Sequence, residues 1–362
     1  MSSRNRRVAG TAAVAAGLVL LVLALLALIG PLSWWLVRED ASRLTAAQLG
    51  AVKDTRTLLV QALGGLILAG GLAVTVRTYV LTREGQLTSR FSQAIELLGS
   101  PEADVRVGGI FALERIAKDS PRDRQTIVET LQTFLHAHAA APATAPPFEP
   151  GQAPRSDVLA AARVLTRPVG GQPLQLAGVQ LSGAELPEAV CLGADLSRSL
   201  LVSAGLAHAK LDGADLSRAD LSGARLSHGG LAGAKLMRAN LADADLTKAN
   251  LASALLHQAS LRRALLAEAD LSYADLYTAD LRRAQLAGAD LRGAILISAD
   301  LRDADLSGAD IRDADFSDAK LDGAVLHGVD LSRAPTLTAE QIAAATTEPT
   351  LAPLGARGRG RR

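Results

Sequence analysis

From Leu174 to Arg333 the chain repeats every five residues, a period that fits neither ordinary element of secondary structure. Of the 32 positions 176, 181, 186 and so on to 331, 29 are Leu, the exceptions being Cys191, Ile311 and Phe316. Two residues before each, 27 of the 32 are Ala, and the residue between is often Asp, as in ADLSRADLSGA. On an α-helix five residues advance by about 500°, so successive leucines would lie about 140° apart and form no face. On a straight strand an odd period throws successive leucines onto opposite faces. Both conflicts disappear if the chain bends once per repeat, with the Leu and the Ala two before it inward and the remaining residues outward. Ala keeps that interior narrow, and Gly, Ser and Asp at outward positions suit the bends. The period alone does not choose between three sides and four.

The A-D-L-x-x pattern over about 160 residues resembles the pentapeptide-repeat family. The resemblance implies an all-β, right-handed quadrilateral β-helix with four pentapeptides, or 20 residues, in each coil. Thirty-two repeats then make eight coils, a rod of roughly 38 Å at about 4.8 Å per coil, with nearest-neighbour stability. Both ends need covering. The helical segment before the repeat is expected to cover the first, and Leu337–Ile342 reads as a short capping helix at the other. Relatives often dimerise end to end; a capping helix obstructs that mode, and oligomerisation is left open.

Two apolar stretches precede the repeat. Val8–Val37 contains no charged residue, and about 20 apolar residues suffice to span a bilayer. It is too long for the 7–15-residue apolar core typical of a secretory signal, and Trp34 and Trp35 sit where an interfacial belt would form. The second, Thr57–Val76, carries Gly65, Ala69 and Ala73 on one stripe, which allows close helix approach. The alternative for this segment is a buried soluble helix, which its four glycines weaken. Residues 1–80 are therefore read as an arm and a membrane α-helical hairpin (8–37 and 57–76). Six flanking arginines (Arg4, Arg6, Arg7, Arg77, Arg83, Arg90) against four loop cations favour cytoplasmic termini. The localisation expected is integral to a bacterial inner or plasma membrane, with the repeat domain cytoplasmic and the lipid bilayer a partner.

Residues 81–167 read as a small α-helical linker module with a Pro/Ala-rich break at 139–154. Phe91, Ile95 and Leu98 recur at helical spacing before Gly99. A second helix is expected in ADVRVGGIFALERIAKD, and Ser120-Pro121 reads as the N-cap and first position of a third. The block FSQAIELLG…DVRVGGIFALERIAKDSPRDRQTIVETLQTFL resembles a helical block that precedes pentapeptide repeats in many bacterial membrane proteins, which implies architecture and setting but no reaction. One stretch of it is also similar to a single HEAT-type helix. Residues 334–362 hold the cap and a basic tail, expected to be disordered, whose four arginines in LGARGRGRR suit contact with anionic lipid.

Folding the repeat at 20 residues per coil stacks Asp270, Asp290, Asp310 and Asp330 on one face and Arg262, Arg282 and Arg302 on the opposite one. Stacked like charges repel, but aspartates and arginines two apart share a surface, the pattern of a solvated face. Glu188, His208 and His228 share another column, which two histidines and a carboxylate could turn into a metal site; Lys248 continues it and favours plain surface residues. His136 and His138 suit the end of a helix. Cys191 replaces an inward Leu and excludes any intrachain disulfide, being the sole Cys. Tyr273 and Tyr277 lie near the acidic columns and suit a partner surface. Walker, nucleophile-elbow and HExxH motifs do not occur.

These features favour a non-enzymatic, membrane-tethered scaffold, with no catalytic residues, metal or cofactor, whose rod recruits an unidentified protein partner through the Asp and Arg columns. A net charge of +1 argues against direct nucleic-acid binding. The alternative rests on family members that mimic duplex DNA and inhibit type II topoisomerases. Residues 174–333 hold 22 acids against 16 bases. A duplex, at one charge per about 1.7 Å, would carry on the order of 22 uncompensated charges over such a rod. A third reading, an enzyme built on the linker module, would need a pocket with perturbed carboxylates.

Overall fold

The computed structural model describes residues 45–139, 153–167 and 172–345. The expected span at 8–37, the Pro/Ala-rich break and the basic tail lie wholly or largely outside them. The described chain divides into two units, Met1–Gln86 and Leu87–Arg362.

In the first unit the described residues belong to α1 (Ala46–Leu98). Its segment Val60–Leu98 is long and apolar enough to cross a membrane by length and composition. Leu58, Leu66, Leu68, Leu72, Val74 and Tyr79 are all exposed. Such a surface is unfavourable in water, where apolar area seeks burial.

The second unit opens with the last turns of α1 and continues through α2 (Ala103–Asp119), α3 (Arg124–His138) and α4 (Ser156–Leu165). The backbone does not break between the apolar stretch and Phe91, so one helix covers what reads in the sequence as two segments. Gly99 donates to the Ile95 and Glu96 carbonyls and ends it. Gly109 lets α2 lie against α1, since a Cβ there would sit 2.9 Å from both Ala94 O and Leu98 N. The third helix starts later than the sequence suggests. Ser120 closes α2 by donating its N–H to Ile116 O, Asp123 N–H then bonds Ser120 O in a turn, and α3 begins at Arg124.

Every β-bridge among the described residues joins positions 20 apart, from Gln175–Asp195 to Asp305–Val325, all parallel. Four pentapeptides therefore make each coil. The bridges are isolated because each side is too short to form a longer strand before the chain turns. The inward Leu and Ala fill the interior: Leu216, Leu236 and Leu276 are fully buried, as are Ala214, Ala234 and Ala274. Cys191 is buried among them, and desolvation pushes its thiol up to about 12.

Backbone hydrogen bonding accounts for four of the five N–H groups in a repeat. In the repeat around Leu216, the N–H groups of Asp215, Leu216 and Arg218 reach the carbonyls of Ala194, Lys235 and Met237 in adjacent coils, while Ala219 closes the turn onto Leu216 O. From Leu176 to Leu326 the residue two after each inward position takes positive φ, Gly or not, as at Arg218 (59°) and Gly213 (67°). The fifth N–H, on the residue after Leu, has no backbone acceptor in this scheme.

Helix ends close the first coil. Ala139 O, at the end of α3, accepts the Gln180 N–H, and Thr166 O, at the end of α4, accepts that of Val190. At the far end α5 (Ala339–Ala344) starts from a capping box between Thr338 and Gln341. Gln341 Nε2 also donates to Phe316 O and Ala319 O at 2.8 and 2.9 Å.

Candidate interaction surfaces

The fifth N–H explains the aspartates. At all fifteen positions where Asp or Asn precedes the inward residue, its side-chain oxygen accepts the N–H two residues on, from Ser197 onto Asp195 to Ser332 onto Asp330. Asp270, Asp290, Asp310 and Asp330 do this for Ser272, Arg292, Arg312 and Ser332. Their stacking is thus partly the consequence of turn formation, a role the sequence reading assigned only to bends in general.

Nor is the Asp column bare. Arg292 and Arg312 chelate Asp290 and Asp310, and Arg292 Nε lies 3.8 Å from Asp310 in the next coil. The arginine columns expected on the opposite wall form a matching ladder. Arg282 bonds Asp280 at 2.6 Å and approaches Asp300 at 3.6 Å; Arg302 bonds Asp300 at 2.6 Å; Arg262 stands 3.9 Å from Asp280. Arg282 and Arg292 thus bridge aspartates of their own and the neighbouring coil, replacing like-charge repulsion with alternating charge.

The electrostatics follow. Burial opposes ionisation of Asp280, but Arg282 and its N–H outweigh this and hold the carboxyl below the usual carboxylate range. Asp290, Asp300 and Asp310 are held low chiefly by the guanidinium two residues on. The Ser332 hydroxyl and N–H hold Asp330 low.

The Glu188 column does not assemble as a metal centre: the His208 and His228 rings stack face to face at 4.9 Å, and Lys248 pairs with Glu268 at 3.3 Å. Among the described residues no three His, Cys, Asp or Glu side chains are grouped to hold an ion. His136 and His138 bond the Gln132 and Phe134 carbonyls through Nδ1 near the end of α3. A groove of about 430 Å³ at the junction of α4 and the first coil is lined by Arg163, Arg167, Glu185 and Glu188. Arg167 there is engaged by Glu114 at 2.6 Å, and Glu185 by Arg225.

The sequence reading missed the buried ionic pair of the helical module. Arg106 Nε donates to Asp157 Oδ2 at 2.7 Å, and its Nη1 donates to the Ser100 and Pro101 carbonyls. No local pattern signals a pair 51 residues apart; the hint is that Arg106 shares a helix face with Gly109, Ile110 and Leu113.

Comparison with known proteins agrees with the coil geometry. The family model for pentapeptide repeats matches in eight copies, over residues 199–236, 231–263, 259–296 and 299–334. No curated protein matches the chain. Among solved structures, HetL, a pentapeptide-repeat protein involved in heterocyst differentiation regulation in the cyanobacterium Nostoc sp., is 36% identical over 42% of this chain and 84% of its own (TM-score 0.18). Rfr23 from the cyanobacterium Cyanothece is 30% identical over 32% of this chain (TM-score 0.24), and the match spans 64% of its length. QnrB1, a plasmid-mediated fluoroquinolone resistance protein, is 19% identical over 47% of this chain and 82% of its own (TM-score 0.34). The repeat copies and the 20-residue step make the coiled tract the right-handed quadrilateral β-helix of pentapeptide repeats, and the chain, 36% identical over 84% of HetL, belongs to the pentapeptide-repeat family.

Proposed function

We propose that the protein is a non-enzymatic, membrane-tethered scaffold whose β-helical rod recruits a protein partner through its charged walls. Residues 1–80 act as the membrane anchor, 81–167 as linker and end cover, 174–333 as the binding rod and 334–362 as its cap and basic tail. The observation that carries this reading is the pair of Asp–Arg ladders on opposite walls, held at fixed intervals by a backbone whose bonds run from coil to coil. Fixed alternating charge favours a partner of matching charge pattern and specifies register more than it adds affinity. The exposed apolar helix Val60–Leu98 supports the membrane setting, and the arginines flanking the apolar stretches are the ground for putting the repeat domain on the cytoplasmic side. A duplex-like wall would need uncompensated acids, and the arginines beside Asp290 and Asp310 favour the scaffold reading instead.

The test is crosslinking of the full chain in its membrane, followed by mass spectrometry, with two column variants. Asp270→Asn, Asp290→Asn, Asp310→Asn and Asp330→Asn together neutralise one wall while keeping each side-chain acceptor. Arg262→Ser, Arg282→Ser and Arg302→Ser discharge the other with a residue native at Ser222 in the same column. Loss of a reproducible partner in either variant is the expected result. An unchanged partner set in both would sink the reading.

A further inference from the structure

A third wall carries neither ladder. Its inward residues run Leu196, Leu216, Leu236, Leu256, Leu276, Leu296 and Phe316, all buried. Its outward residues change character along the rod. In the Leu236 row they include Lys235 and Arg238, with the half-buried Met237 between them. In the middle they are Leu255, His257, Tyr277, Ile295 and Ile297, with Tyr273 at the corner lying over Gly293, whose added Cβ would meet the ring at 2.7 Å. Tyr273, Tyr277 and Ile295 are exposed, and the His257 and Tyr277 rings meet edge to face at 6.3 Å. In the Phe316 row the outward residues are Asp315 and Asp318, with Asp313 at the corner. Asp195 and Asp215, further back, cap the Ser197 and Ser217 N–H groups and offset Arg198 and Arg218 within their own rows. Asp275 lies against His257 and caps the Tyr277 N–H.

We infer that this wall is a self-complementary interface for a second copy of the chain, packed antiparallel about a two-fold axis through Tyr277. The Leu236 and Phe316 rows lie 40 residues, or two coils, either side of the Leu276 row. A two-fold there sets Lys235 and Arg238 against Asp315 and Asp318 of the second copy. It sets Leu255 and His257 against Ile295 and Ile297, and Tyr277 against itself. The contact is isologous, so each charged row is satisfied twice, and the aromatic centre with a charged rim matches the anatomy of stable interfaces. A parallel arrangement would face the Phe316 row's acids with their own copies, whereas the antiparallel one leaves a single like pair, Asp275 on the axis, with His257 against it. The two ladder walls flank this one and stay free, so self-association goes beyond the proposed recruitment and does not depend on it.

The experiment measures self-association of the full chain in detergent by sedimentation. Arg238 and Asp318 project from positive-φ corners and cap no turn, so reversing them leaves the backbone bonds between coils intact and removes only the exposed Arg238 Nε to Gln258 Oε1 bond. Arg238→Glu and Asp318→Arg should each weaken the dimer at least tenfold, and the double swap should restore it. Tyr277→Cys should give a bismaleimide-linked dimer, whereas Lys248→Cys, on the opposite wall, should not; the native Cys191 is buried. A monomeric wild type, a dimer indifferent to either reversal, or single losses without rescue in the double swap would each overturn the inference.

Discussion

Arg106 Nε and Asp157 Oδ2 meet at 2.7 Å with side chains 6% and 0% exposed, joining α2 to α4. The carboxylate is fully engaged, since Arg155 also bonds Oδ2 and the Val158 N–H bonds Oδ1. Removing one member strands a buried charge, which costs about 3–5 kcal/mol where the pair is dry. Arg106→Leu should therefore lower the unfolding midpoint of the helical module sharply, while Arg155→Leu, half-exposed, should cost under about 1 kcal/mol.

The same pair sets an acid limit. Burial opposes the charge on Asp157, but Arg106, the Val158 N–H and Arg155 hold its carboxyl below the ordinary value of 3.8. A carboxyl whose folded value is depressed stabilises fully above the unfolded value and loses this as pH falls through the folded one. Thermal unfolding followed from pH 7 to pH 2 should be flat for this contribution above about pH 5 and fall below 3.8. In Asp157→Asn that component of the acid slope should vanish; an unchanged slope would refute the assignment.

The turn aspartates make a chemical distinction testable. Asp290 holds the Arg292 N–H through one oxygen and the guanidinium through both. Asn keeps the oxygen for the N–H, as Asn240 and Asn250 do natively. Asp290→Ala should cost about 1 kcal/mol in urea unfolding, and Asp290→Asn less than half of that, because an exposed ion pair adds little. Equal losses would mean that the ion pair, not the turn, is what Asp290 supplies.

The repeat was legible because its signal is covalent order itself: 29 Leu and 27 Ala over 32 places, with the inward positions buried from Leu174 to Leu326. What the period could not supply was the count of sides, which depends on how far each turn swings the chain. The αL corners were equally hidden, because Arg218, His228 and Lys248 occupy them with φ of 57–59° although nothing in those side chains demands it. Columns followed from arithmetic once four sides were assumed, and so did the sharing of a surface by Asp290 and Arg292, two residues apart. The reach of Arg292 to Asp310 in the next coil did not. The 120–123 turn was misread because Ser-Pro suits a helix start as well as the turn that precedes one.

Corner glycines should separate backbone strain from contact. Gly213 has φ +67° with nothing within 4 Å of an added Cβ, whereas at Gly293 (φ +64°) the Cβ meets the Tyr273 ring at 2.7 Å. A β-branched residue at φ > 0 pays roughly 1–2 kcal/mol from the backbone alone. Gly213→Val should show that loss by chemical denaturation. Gly293→Val should lose a similar amount and, in addition, displace Tyr273, visible as a change in tyrosine fluorescence. Restoring Gly293→Val with Tyr273→Ala should return only the contact part.

The C-terminal cover should fail locally. Gln341 donates to Phe316 O and Ala319 O and shares the reciprocal cap with Thr338, while Gly323 donates its N–H to Ala344 O. Gln341→Ala leaves Ala319 O to water, leaves Phe316 O with the Ala319 N–H, and removes the cap, a loss of about 1–3 kcal/mol at that end. In a stack held by nearest-neighbour bonds such a loss opens the terminal coil before it reaches the middle. Hydrogen exchange should therefore accelerate at the N–H groups of Phe316 and Gly323, where Thr336 Oγ1 and Ala344 O are the acceptors. Leu236, whose N–H bonds Leu255 O in the centre of the rod, should keep its protection. Uniform acceleration along the rod would show instead that the coils open as one cooperative block, and that the cap acts on all of them.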